Sequence, residues 1–171
     1  MDYRSLLANF PSGAEKELFS RQVGDSQEKF NALLDLALHD EDPVAWRAGW
    51  VLDGSDEQNP GLASHSISKI IHRLPEIESK GTLRNLLRLL CRYPVDEADQ
   101  GILIDFCFQT MVSELYPVAV KVHAMQIIYN HVLIYPELKE ELVAVIQDQV
   151  VNNSVGFKSR GMRIIRQLDH I

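Results

Sequence analysis

Apolar positions along this chain recur at helical rather than strand spacing. Phe30, Leu33, Leu34, Ala37 and Leu38 fall at i, i+3, i+4, i+7 and i+8, the stripe that an amphipathic helix turns toward a core. No comparable stretch alternates at period two, so no sheet is predicted. The seven prolines, at positions 11, 43, 60, 75, 94, 117 and 136, lie between the helical stripes. Proline inside a helix costs about 3 kcal/mol, so these residues mark breaks. The spacing predicts a capping helix over 12–23, opened by the capping box Ser12-Gly13-Ala14-Glu15. It then predicts first helices over 26–39, 61–74, 96–114 and 137–150, alternating with second helices over 43–52, 80–92, 117–131 and 154–168. Short connections make consecutive helices antiparallel neighbours. The pairs Tyr93-Pro94, Tyr116-Pro117 and Tyr135-Pro136 fall at segment boundaries, since a residue before proline is pushed out of the α region.

Aligning the second helices exposes a repeat. Val44, Gly81, Val118 and Val155 stand 37 residues apart without a gap. The same register aligns Trp46, Leu83, Val120 and Phe157, then Arg47, Arg84, Lys121 and Lys158, then Trp50, Leu87, Ala124 and Gly161. Columns of this kind point to stacked hairpins, because one hairpin cannot bury its apolar face alone. The phrases Pro43-Val44-Ala45-Trp46-Arg47, Pro117-Val118-Ala119-Val120-Lys121 and Ser154-Val155-Gly156-Phe157-Lys158 resemble the start of the second helix in HEAT-like repeats. Asp42 matches the aspartate frequent there, while Ser79, Tyr116 and Asn153 replace it later. Neither the tryptophan-leucine-glycine pattern of tetratricopeptide repeats nor the Thr-Pro-Leu-His of ankyrin repeats occurs. The resemblance implies an all-α fold, a right-handed α–α superhelix of about four HEAT-like hairpins with an N-terminal capping helix. Residues 1–171 then form one domain, with 1–25 the cap and 26–171 the repeats. It also implies an inner surface, lined by the second helices, that binds another macromolecule.

Composition adds little beyond permission for a self-sufficient core at this length. No apolar run is long enough to span a bilayer, and the N-terminus lacks a secretory signal. A cytoplasmic location is the expectation. Cys91 and Cys107 sit in apolar helical patterns and are expected to be buried, reduced thiols.

The common phosphate, zinc-hydrolase, serine-hydrolase and dithiol signatures are missing, and the sequence calls for no cofactor and no metal. His65 and His72 share a face of one predicted helix without a third ligand at metal-like spacing. His123 and His131 lie on the helix that carries Lys121 and are expected to be structural. The acidic stretch from Asp53 to Gly61 lacks the glycine and closing glutamate of a calcium loop, and reads as a solvated loop. Trp46, Trp50 and Asp53 fall on one side of a helix. HEAT-like DNA alkylation-repair glycosylases hold a damaged nucleotide with aromatic residues and an aspartate, and this triplet is similar in type. It is confined to one helix, and burial of the two indoles in the core is the simpler expectation.

Charge supplies the remaining signal. The net charge is −7, yet the second-helix spans given above contain Arg47, Lys80, Arg84, Arg88, Arg92, Lys121, Lys158, Arg160, Arg163 and Arg166 and no acid. Either these bases tie neighbouring repeats together through carboxylates, or they form an open basic surface. The second possibility makes Arg47, Arg84, Arg88, Lys121, Lys158, Arg160 and Arg163 the candidate partner-binding residues. An acidic protein segment is the expected partner ahead of nucleic acid, for which the same bases would neutralise phosphates.

Overall fold

The computed structural model describes residues 2–9 and 12–171; Pro11, one of the predicted breaks, lies outside them. Among the described residues all regular structure is helical. The chain divides into two compact units, residues 1–95 and 96–171.

The first unit opens with α1 (Tyr3–Ala8), which the sequence pattern did not reveal, and α2 (Gly13–Val23). The cap region therefore holds two helices rather than one. Ser12 accepts from Glu15 N, the first half of the capping box, and its hydroxyl, rather than its backbone N–H, donates to the Glu15 carboxylate. Next come α3 (Gln27–His39) and α4 (Val44–Gln58). The predicted first helix over 61–74 is broken up: Ser64–Ser66 forms a 3-10 turn, α5 covers Ile67–Arg73, and Leu74–Glu76 forms another 3-10 turn. Gly61 at φ 107° does not begin a helix, and Pro75, which has no N–H to donate, falls in the second 3-10 turn. The unit ends with α6 (Lys80–Leu90), capped by Ser79.

At the centre of this unit lies α4, packed against α1, α2, α3 and α6. Val44, Ala45, Ala48, Val51 and Leu52 are buried along it, facing Phe30, Leu33 and Leu34 of α3 and Leu83, Leu86 and Leu87 of α6. Asn85 Nδ2 donates to the Trp46 carbonyl at 3.2 Å where α4 and α6 approach closely.

The second unit comprises α7 (Glu97–Val112), α8 (Val118–Val132), α9 (Leu138–Val150) and α10 (Val155–Leu168). Helix α8 packs against α7, α9 and α10, so second helix stacks on second helix. Val120, Ala124 and Ile128 of α8, Leu142 and Ile146 of α9, and Phe157 and Ile164 of α10 are fully buried. The Tyr135 hydroxyl donates to Gln100 Oε1 at 2.5 Å and ties the α8–α9 turn to α7.

Candidate functional site

The four bases that share one repeat column occupy four different environments. Arg47, on the central helix α4, donates from Nη1 to the carbonyls of Leu7 and Ala8 at 2.8 and 2.9 Å. It thereby closes the C-terminal end of α1, whose last carbonyls have no partner within the helix. Arg84 projects from α6 into solvent and makes no ion pair among the described residues. Lys121 is only 4% exposed. Lys158, on α10, is exposed without an ion pair among the described residues, as is Arg163 one turn further on. Arg160 is half-buried and donates to Gln126 Oε1 of α8 at 2.6 Å.

Arg88 is half-buried. Together with Arg92 it meets three carboxylates of α4: Arg88 pairs with Asp53 and, at 3.0 Å, with Glu57, while Arg92 pairs with Asp53 and Asp56 at 2.8 and 2.9 Å. The Asp53 and Asp56 side chains are 3% and 2% exposed, so both buried charges are matched. The Tyr93 hydroxyl donates to Asp56 Oδ1 and accepts from Gly61 N and Ala63 N at 2.9 and 3.3 Å. Burial works against the Arg92 charge, but hydrogen bonds and attraction from Asp53 and Asp56 outweigh it and raise its pKa. The hydrogen bond from Arg88 lowers the Glu57 pKa.

This cluster corrects two sequence expectations. The stretch from Asp53 is not a solvated loop, because α4 continues as helix through Gln58 with Asp53 and Asp56 buried. Asp56 and Glu57, in the last turn of α4, oppose the helix dipole; the two arginines from the next hairpin offset this. Consequently the second helices are not all free of acid. That pattern holds for α6, α8 and α10, whereas α4 carries Asp53, Asp56 and Glu57.

The indoles of Trp46 and Trp50 lie tilted against each other, centroids 5.7 Å apart, and are half-buried rather than enclosed in the core. Arg47 and Lys16 stand over them at 5.6 and 5.8 Å. Asp53, held by two arginines, does not supply the exposed carboxylate that glycosylase-like chemistry would need beside these rings. His65 lies in a 3-10 turn and His72 in α5, both exposed. Among the described residues no group of three or more His, Cys, Asp or Glu side chains could hold a metal ion. His131 is buried with Nδ1 2.8 Å from the Ile127 carbonyl of its own helix. Among the described residues neither cysteine forms a disulfide; Cys107 is buried and Cys91 half-buried.

Two concave features escaped the sequence reading. A cleft of about 370 Å³ in the first unit is acidic, lined by Asp40, Glu41, Asp42, Glu76 and Glu78, with Asp40 held by Arg4. The second unit has a polar cavity of about 280 Å³ with Lys121 in its wall. No periodicity signals either one, because each is assembled from inter-helix connections.

A family model described as a HEAT repeat domain matches residues 4–168, and the chain belongs to that family. No curated protein and no solved structure matches it. Among the described residues no helix is long and apolar enough to cross a membrane.

Proposed function

We propose that this HEAT-repeat chain is a non-enzymatic interaction module of the cytoplasm, acting as one repeat domain whose exposed second-helix bases engage an acidic protein partner. Helical repeats of this family suit scaffolding and protein interaction, and the match runs through both units. The observation that carries the reading is a contrast between bases of neighbouring positions. Arg88 and Arg92 are consumed by α4 carboxylates, whereas Arg84, Lys158 and Arg163 have no ion pair among the described residues and stand exposed on helices without an acid. Guanidinium groups left in this way suit bidentate contact with carboxylates. Arg47 and Arg88 leave the candidate set, since Arg47 Nη1 and both terminal nitrogens of Arg88 are engaged within the first unit.

The test is capture from native lysate with the wild type and with Arg84→Glu/Lys158→Glu/Arg163→Glu, followed by titration of the purified partner. The variant should keep its helicity and lose the partner. An identical captured set from both proteins overturns the reading. Binding of DNA or RNA that falls steeply with salt would instead favour a nucleic-acid partner.

A further inference from the structure

In the second unit, the α7–α8 connection (113–117) and the α9–α10 connection (151–154) bound the 280 Å³ cavity. Its wall includes Glu114, Tyr116, Lys121, Gln149, Asn152 and Asn153. Lys121 stands in the first turn of α8, only 4% exposed, yet its ammonium makes no hydrogen bond or ion pair among the described residues. This sets it apart from the buried acids Asp53 and Asp56, each of which has an arginine partner. Burial lowers the Lys121 pKa, against the weaker attraction of Glu114. An anion entering the cavity would offset the desolvation of this ammonium.

The surroundings define what would satisfy it. Asn153 Nδ2 donates to the Gln149 carbonyl and to Gln149 Oε1 at 2.8 and 3.3 Å, which fixes one side of the cavity. The Tyr116 ring is braced edge-on by Phe106, centroids 6.4 Å apart. Asn152 lines the same cavity, and its side-chain amide carries two N–H donors. Glu114 in the same wall repels a dianion such as phosphate more than a single carboxylate. Interleaved with these polar residues along the chain are exposed apolar side chains: Val112, Leu115, Val151 and Val155 are 51%, 78%, 82% and 84% exposed. Apolar residues of this size in the two connections and the helix ends beside them favour burial against a partner.

From this geometry we infer that the Lys121 cavity receives the carboxylate of a glutamate or aspartate side chain in a protein segment, with the flanking apolar residues of that segment covering Val112, Leu115, Val151 and Val155. The inference deepens the proposed acidic partner by naming one place where it docks, and rests on that reading.

The experiment is a two-dimensional NMR titration of the full chain, labelled with nitrogen-15. The probes are the blocked peptides acetyl-Ala-Leu-Glu-Leu-Ala-amide and its Gln counterpart, with glutarate as the free carboxylate. The Glu peptide should shift backbone amides within 113–121 and 151–155 and bind at least about tenfold more tightly than the Gln peptide, the effect of losing a charged hydrogen bond. In Lys121→Met that preference should vanish while the rest of the spectrum and the melting temperature are kept or improved. Arg84→Glu/Lys158→Glu/Arg163→Glu should leave the titration unchanged, so failure here is separable from failure of the broader surface. Equal binding of the two peptides, no shift at millimolar peptide, an unaltered preference in Lys121→Met, or glutarate binding as tightly as the Glu peptide would each overturn the proposal.

Discussion

Arg92 Nη1 sits 2.8 Å from Asp53 Oδ1, joining two residues 39 positions apart and fastening the turn after α6 to the middle of α4. Asp53 is buried and matched from two sides, by Arg92 and by Arg88. Removing one partner of a buried ion pair leaves the others uncompensated. Asp53→Ala should therefore lower the unfolding free energy by about 3–5 kcal/mol. Urea denaturation followed by tryptophan fluorescence measures it, and a loss comparable with an exposed pair would show that the cluster is solvated in solution.

Glu57, on the exposed margin of the same cluster, has its pKa lowered by the Arg88 hydrogen bond. A carboxylate with a depressed folded pKa contributes stability above its unfolded pKa and loses it as pH falls through the folded value. The stability gap between wild type and Glu57→Gln should thus be constant at neutral pH and shrink as pH drops below 4.5. Its size should stay under about 1 kcal/mol, since the side chain is more than half exposed. Paired denaturation curves across pH 3 to 7 check this.

Gly81 fills the column that holds valine in the other three repeats. A Cβ at this position would lie 2.7 Å from the Trp46 Cβ, inside van der Waals contact. Gly81→Ala should destabilise the first unit by about 1–3 kcal/mol, as overpacking does. Because the closest atom is a Cβ, Trp46→Ala keeps it and should not rescue Gly81→Ala in a double-mutant cycle. Thermal melts of the four proteins decide the point.

Burial pushes the Cys91 thiol up to about 12, so almost none is thiolate near neutrality. Cys107 is fully buried. At pH 8 the folded protein should resist iodoacetamide at both positions and become alkylated only in denaturant. Mass spectrometry of tryptic peptides reads each cysteine separately.

The legible part of this fold was what local chemistry specifies. Apolar spacing and proline positions determined the helical class and most helix limits, and Ser12 marked a true helix start; the caps supplied by Ser79 and Ser154 emerged from the structure. The repeat register also emerged from sequence, and Leu83, Val120 and Phe157 share full burial because equivalent positions face equivalent cores. The short helix α1 left no readable stripe, since Leu7 is its single buried residue.

Tertiary structure alone decided the fate of each charge. Sequence placed Arg47, Arg84, Lys121 and Lys158 in one column, but a charged side chain takes its role from what lies several ångströms away. For Arg47 that is the end of α1, for Lys121 an apolar first turn and a cavity, and for Arg84 and Lys158 water. The segment from Asp53 to Gln58 is the sharpest case. Its acids argue locally against a helix end, and arginines more than 30 residues later make that helix stable by neutralising them. Hydrophobic periodicity is a property of a segment and can be read from it, whereas the free energy of a charge depends on the partner and solvent that folding brings to it.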